Sequence, residues 1–264
     1  MTDTELYENI PKDPFSLRVS KYAYRGYAFS EHWHEHTEIH LILEGSCRLE
    51  CNGESIELLA GDCAVINSGE LHRGGRGDCV FLCLLLSPSF FGDTYIIFKR
   101  LIRDPYVSSL FQEIALLARE GDLSEHLEGR AAVHLLMAHL VRLYTLRELN
   151  GALYTRHLAK LGKINRAITY IHQNYEHPIT TASLAEKFYM SEGYFCQLFK
   201  EVMKQSALDY LNGIRLEKAK HLLRGTDMSV SEIALRCGFS DANYFSRMYK
   251  KRYGEAPTQA RCKN

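Results

Sequence analysis

One segment of this chain occurs twice, and that recurrence limits what the last third can fold into. Residues 189–203 read YMSEGYFCQLFKEVM, and residues 238–253 read GFSDANYFSRMYKKRY. Tyr194-Phe195 recurs as Tyr244-Phe245, Phe199-Lys200 as Tyr249-Lys250, and Ser191 as Ser240. Each copy follows a short segment carrying Leu184-Ala185 or Ile233-Ala234. A repeat of this kind is one supersecondary unit used twice.

Helix signals surround both copies. Ile164, Ile168 and Ile171 mark a first helix that ends near residues 175–178. Thr180 is expected to cap a helix through Phe188, and Ser191 the next one, to about Met203. Residues 208–223 read as a longer connecting helix ended by Arg224-Gly225. Ser229 and Glu232 form a capping box, in which each side chain takes the other's free backbone N–H. Ser240 is expected to cap the helix of the second copy, and Pro257 opens a short last helix. Two short helices joined by a turn, present twice, make two helix-turn-helix motifs, at 180–203 and 229–253.

In such a motif the second helix enters the major groove, and the exposed side chains of its N-terminal part meet base edges. The apolar positions say which face is hidden. Phe195, Leu198, Phe199 and Val202 pack inward in the first copy, so Ser191, Gly193, Cys196, Gln197 and Lys200 are the DNA-facing candidates. Phe245, Met248 and Tyr249 pack inward in the second. There the candidates are Ala242, Asn243, Ser246, Arg247, Lys250 and Lys251. Gln and Asn pair bidentately with adenine and Arg with guanine, whereas lysines hold phosphate. The first copy offers few base-reading donors, so Asn243 and Arg247 are expected to discriminate more.

Charge agrees with this placement. Residues 160–264 hold 17 Lys+Arg against 10 Asp+Glu, a net of +7, within a chain whose formal net charge is zero. Only this third is suited to approach phosphate.

Residues 160–261 resemble the DNA-binding domain of the AraC/XylS family of bacterial transcription regulators. The matching text includes SLAEKFYMSEGYFCQLFKEVM, YLNGIRLEKAKHLL and TDMSVSEIALRCGFSDANYFSRMYKK. The resemblance implies that the long helix joins two motifs that enter successive major grooves, about 34 Å apart. It also implies an activator that contacts RNA polymerase. Ala260 stands before Arg261 where the family often has Tyr.

The first part of the chain reads differently. Between about 15 and 92, short strand-like runs such as 38–43, 46–51, 54–59, 63–67 and 79–86 alternate with turn signals, and Asn52-Gly53 marks a hairpin. Short strands at close spacing suggest a small barrel or sandwich. His32, His34, His36, Glu38 and His40 all lie at even positions, so an extended strand would put them on one face. The spacing of Gly26, His32, His34, Glu38 and Gly45, followed by Gly61, Asn67, Gly69 and His72, is similar to the two cupin motifs. That resemblance implies a double-stranded β-barrel and assigns His32, His34, Glu38 and His72 to the positions that hold Fe, Mn or a similar ion in the metal enzymes. Asn67 replaces the usual Pro and Arg76 the usual Asn. Regulators of the AraC type often use such a domain to bind an effector without metal. An effector pocket of His32, His34, Glu38, His40 and His72 is therefore preferred, with a divalent metal at four of those residues as the alternative.

From Tyr95 the apolar period becomes helical, over 107–119 and 127–149. Leu136, Leu140, Leu143 and Tyr144 form a stripe that is core, a dimer contact, or both. Asn150-Gly151 is expected to end that helix. Eight cysteines without a CxxC pair read as buried reduced thiols, with a disulfide or zinc site the lesser reading. The polar N-terminus and the lack of a 20-residue apolar run point to a cytoplasmic protein without a membrane span.

The expected fold is multidomain α and β. A cupin-like effector barrel over 1–95 is followed by a helical dimerisation segment (96–150), a linker (151–159) and an all-α DNA-binding domain (160–264). The expected function is a non-enzymatic regulator of transcription, an activator that binds double-stranded DNA as a homodimer. It answers to a small polar effector, with a sugar as one candidate. A cupin metalloenzyme or a metal sensor fused to a DNA-binding domain is the alternative.

Overall fold

The computed structural model describes residues 6–8, 10, 18–27, 29–92, 94–117 and 123–261. The chain divides into two compact units, with the boundary between Gly162 and Lys163.

The first unit is built on a six-stranded antiparallel sheet. Its strands are β1 (Arg18–Tyr27), β2 (Thr37–Cys51), β3 (Glu54–Leu59), β4 (Cys63–Ile66), β5 (His72–Leu86) and β7 (Leu101–Ile102). The order is β1-β5-β2-β4-β7, with β3 also paired to β2. Asn52 and Gly53 both have positive φ, 47° and 79°, which makes the expected hairpin turn between β2 and β3. The two runs expected at 38–43 and 46–51 are one bent strand. Leu43 is an extra residue there, because Ile42 pairs with Phe81 while Glu44 pairs with Val80. A bulge of this kind bends the strand and reverses which parity faces inward. Accordingly Ile42 and then Cys47, Leu49 and Cys51 share one buried cluster with Cys79, Phe81 and Cys83.

A second irregularity, between Cys47 and Leu49, curls the sheet further. His72 pairs with Cys51 at the far end of β2, yet its Nε2 lies 3.2 Å from Glu38 at the near end. A straight strand would hold those ends about 40 Å apart. The inside of this curl is the cysteine-rich cluster.

The outer face carries Ile39, Leu41, Leu82 and Leu84, which pack against the helices α1 (Pro105–Leu117) and α2 (Leu123–Tyr144). Leu136 and Leu140 are fully buried in that core, while Leu143 is 58 % exposed. Three of the four stripe residues, Leu136, Leu140 and in part Tyr144, are therefore committed to this core. Helix α2 stops at Tyr144, short of the expected 149. Residues Thr145–Asn150 instead form β8, paired with β6 (Thr94–Phe98). The residues expected as a linker, 151–159, lie in helix α3 (Gly151–Asn174), whose first turn Asn150 caps by accepting from the Leu153 amide. The helical period expected through 149 is overridden at 145–150, where pairing with β6 selects the strand.

The second unit is helical. It comprises residues 163–174 of α3, then α4 (Thr181–Lys187), α5 (Glu192–Met203), α6 (Ala207–Gly225), α7 (Val230–Arg236), α8 (Ala242–Tyr253) and α9 (Pro257–Arg261). Thr180, Ser191 and Ser229 cap their helices as expected, and Ser229 with Glu232 completes the capping box. Ser240 does not cap α8. Asp241 does, and its carboxylate accepts from the Asn243 and Tyr244 amides at 2.6 and 2.8 Å. The turns of the two motifs match at a spacing of 49, because Met190 bonds to Ala185 as Phe239 bonds to Ala234. The reading helices match at 50, by Tyr194 and Tyr244. One added residue in the second copy moves the cap from Ser240 to Asp241.

The two turns also differ in what they tolerate. Gly238 has φ +84°, and a Cβ there would lie 2.5 Å from the Tyr175 carbonyl and 2.9 Å from Arg215 Nη2. Arg215 is buried, and it donates to the Tyr175 and His177 carbonyls at 2.8 and 2.9 Å. The second motif is thus pinned to the α3–α4 loop. Its counterpart, Tyr189, has φ +55° and is 98 % exposed. We expect Gly238→Ala to cost about 2 kcal/mol or more in urea unfolding, through backbone strain and a clash. Tyr189→Gly should stay within about 1 kcal/mol of the parent. Equal effects at the two positions would contradict this difference.

Candidate nucleic-acid interface and effector site

On α5, Phe195, Leu198, Phe199, Val202 and Met203 are buried, whereas Gly193, Cys196, Gln197 and Lys200 are exposed, as is the cap Ser191. On α8, Phe245 and Tyr249 are buried, and Asn243, Arg247, Lys250 and Lys251 are exposed. Ala242 departs from its expected outward position. It is half-buried against the core of the second motif, since Asp241 opens the helix one residue late and turns Ala242 inward. Ser246 is half-buried too, and its hydroxyl donates to the Ala242 carbonyl at 2.8 Å. Tyr194 and Tyr244 were missed by the sequence reading. They are 42 % and 40 % exposed, so the recurring Tyr-Phe pair divides, with Phe in the core and Tyr on the surface beside the reading residues. An invariant pair in a repeat gives no sign of that division until the helix phase is known.

In the first unit the histidines converge as the spacing suggests, although by another route. His32 and His34 precede β2, and His32 joins the sheet only through a two-way backbone bridge to His72. His34, Glu38, His40 and His72 are buried, and one donor atom from each of His32, His34, Glu38 and His72 lies within 4.8 Å of the others. His36 is also buried, with its ring beside that of His34.

The hydrogen bonds settle the tautomers. The Nδ1 atoms of His32, His34 and His72 each face a backbone carbonyl, those of Ser30, His36 and Glu70, at 2.9–3.2 Å. A carbonyl only accepts, so Nδ1–H is the donor and each neutral ring turns a lone pair at Nε2 toward its neighbours. Those neighbours are carboxylates. His34 Nε2 and His72 Nε2 stand 2.9 and 3.2 Å from Glu38 Oε2, and His32 Nε2 stands 3.2 Å from Glu8. His72 Nε2 is buried without a hydrogen-bond partner. Acceptors facing acceptors need a proton or a cation between them. Protons are a poor answer at His32, where burial, and then the neighbouring His72, lower the imidazole to about 4. Burial would raise Glu38, but His40 foremost, and then the His34 and His72 imidazoles beside it, hold it well below the carboxylate range. Three imidazoles and one carboxylate with carbonyl-anchored rings fit a divalent ion of the Fe or Mn class.

Glu38 also reaches beyond this set. Its Oε1 lies 2.5 Å from His40 Nε2 and 3.0 Å from Cys83 Sγ. Next to His40 is a small cavity of about 10 Å³, room for about one water, walled by Tyr24, Phe29 and Phe81 with Arg48 on its lining. Of these residues only His40 stands out in the sequence; Tyr24, Arg48 and Phe81 are placed by strand register, and Phe29 lies between β1 and β2.

Two family descriptions match the chain. An AraC-like ligand binding domain covers residues 14–140, and a helix-turn-helix domain covers residues 184–263. An HTH-type transcriptional activator RhaS from Salmonella schwarzengrund is 28 % identical over 249 residues, which is 89 % of this chain and 88 % of that one. An HTH-type transcriptional regulator, YdeC of Bacillus subtilis, is 25 % identical over 248 residues, 86 % of this chain and 84 % of that one. The C-terminal domain of the response regulator yesN from Fusobacterium nucleatum is 38 % identical, with a TM-score of 0.35. The match covers 36 % of this chain and 93 % of that domain.

The buried cluster makes stability depend on pH. A native His32 near 4, against an ordinary 6.5, binds fewer protons than the unfolded chain between those values. Its contribution is intact above pH 6.5 and is lost as the pH falls toward 4. The depressed Glu38 loses its own contribution in acid as well. For the metal-stripped protein we expect urea stability to fall by about 2–3 kcal/mol from pH 6.5 to pH 4, and His32→Asn to flatten that slope. An unchanged slope in the variant would show that His32 is not buried neutral.

Proposed function

The chain belongs to the AraC/XylS family of DNA-binding transcription regulators, and we propose that it reads a promoter element through α5 and α8 under control of a small effector held in its first unit. The observation that carries the DNA reading is the pair of capped helices with aromatic faces buried and polar faces exposed. In this reading Asn243 and Arg247 address adenine and guanine edges. Gln197 is the main reader of the first copy, flanked by Ser191, Gly193 and Cys196, whose small side chains let the helix sit close to the duplex. Lys200, Lys250 and Lys251 hold phosphate, and Ala242 and Ser246 support α8 at the groove. The two motifs read different half-sites, the second with more base specificity.

The cavity beside His40 is the starting point of the effector site in this reading: it has to widen to admit a small polar molecule with an apolar face, of which a sugar is one. Aromatic walls stack on such a face, while His40 and Arg48 supply hydrogen bonds. Activation of transcription agrees with the name of the RhaS relatives, and RNA polymerase is the partner through which this reading has it act. A homodimer agrees with the exposed Leu127, Leu135 and Leu143 on α2. Work on a promoter places the protein in the cytoplasm; among the described residues no helix is long and apolar enough to cross a membrane.

A second reading has its own support. The unpartnered His72 Nε2 and the carbonyl-anchored rings favour a metal ion at His32, His34, Glu38 and His72, so that the ion itself is the effector or part of its site. The ion would supply a Lewis-acid centre for an effector oxygen.

Arg247→Ala should reduce discrimination between operator and mutant DNA by about 1–3 kcal/mol, while Lys251→Ala should weaken binding to all sequences and lower the salt slope by about one. Retained discrimination in Arg247→Ala would remove that residue from base reading. Metal analysis of purified protein separates the two effector readings: stoichiometric metal that is lost in His72→Ala, together with metal-dependent operator affinity, selects the second.

A further inference from the structure

The Glu38 carboxylate divides its two oxygens between two sets of partners. Oε2 faces His34 and His72, as described, whereas Oε1 faces His40 Nε2 at 2.5 Å and Cys83 Sγ at 3.0 Å. One donor atom from each of Glu38, His40 and Cys83 lies within 4.8 Å of the others, and all three residues are buried. His40 and Cys83 are direct register partners across β2 and β5, so the backbone ladder fixes their separation before any ligand arrives. The rings of Phe29 and Phe81 stand 6.0 and 4.6 Å from that of His40 and shield the group from water. Neither His40 nor Cys83 belongs to the spacing that suggests the three-histidine set.

We infer that Glu38, His40 and Cys83 form a second divalent-metal site, with Glu38 bridging it to the three-histidine set. The two donor sets differ in softness. Three imidazoles and an oxygen suit Fe or Mn, whereas one imidazole, one oxygen and one thiolate suit a borderline-soft ion of the zinc class. Zinc bonds of about 2.0–2.3 Å set such donors about 3.3–3.6 Å apart, so His40 and Cys83 need to retreat from Glu38 by less than about 1 Å. On binding, the Cys83 thiol and the ring nitrogen give up any proton to solvent, and the cation takes the place of the hydrogen bonds on Oε1. Three protein donors leave a fourth position, the arrangement that lets zinc accept an outside ligand. His40 is also a wall of the pocket, so an effector there lies beside this ion. The inference shares Glu38 with the three-histidine reading but does not require that set to be filled.

The test uses the full chain, stripped of metal and titrated with Co²⁺, whose bond to a thiolate has its own near-ultraviolet charge-transfer band. One equivalent carrying that band is expected, and a second without it where the three-histidine set also fills. Cys83→Ser should remove the band and one equivalent, and His72→Ala should remove the other equivalent while the band persists. Zinc-edge absorption of the unmodified protein should show a sulfur neighbour, a readout independent of how the variants fold. One equivalent without a thiolate band and without a zinc–sulfur neighbour, lost in His72→Ala, would overturn this site and leave the three-histidine site standing. A band that survives Cys83→Ser would also overturn it. Absence of any binding would end both.

Discussion

The antiparallel pairing of β2 with β5 is the constraint on which the first unit depends. Both strands are 15 residues long, and their two irregularities bend them together until the ends meet. The curl brings His72 to Glu38, and the bulge at Leu43 keeps Ile42 and Cys47 on one inner face. The same pairing sets His40 opposite Cys83. A regular ladder in place of the bulge would turn Cys47, Leu49 and Cys51 outward, because the side-chain period of a strand is two. The inner cluster, the pocket wall and the metal-ligand geometry therefore follow from where one extra residue sits.

Buried polar chemistry in this unit stands on backbone support. Three imidazoles are each held by a carbonyl at Nδ1, which fixes both the ring plane and the position of the lone pair. Glu38 is buried among four residues that offer nitrogen or sulfur to its two oxygens. Such a constellation is expensive to bury and is retained only where its members satisfy one another or share a cation. The second unit solves a different problem. It must expose polar groups on rigid helices, and it does so with capped helix starts, buried aromatic faces and, in the second motif, a buried arginine that binds two loop carbonyls.

The repeated segment showed two reading helices because burial of Phe195, Phe199, Phe245 and Tyr249 follows directly from helical spacing. Caps at Thr180, Ser191 and Ser229 were equally legible, since they depend on neighbours three residues away. The cap of α8 was not. The repeat pointed to Ser240 by its match to Ser191, but the packing of Phe239 and Phe245 in the second motif's core makes Asp241 the cap. Residues 145–149 carried a helical period in the sequence, and only the presence of β6 to pair with them makes 145–150 a strand.

By itself the sequence determined the order of a β-rich unit and a helical one, the two helix-turn-helix motifs, the hairpin at Asn52-Gly53 and the convergence of His32, His34, Glu38 and His72. All of these rest on periodicity, turn chemistry or motif spacing. Tertiary structure alone decided that Cys83 meets Glu38, that Phe29 and Phe81 wall the pocket beside His40, and that Arg215 and Gly238 pin the second motif. Each of those contacts joins residues far apart in the chain, and its geometry is set by strand register or by a close backbone approach that no local pattern encodes.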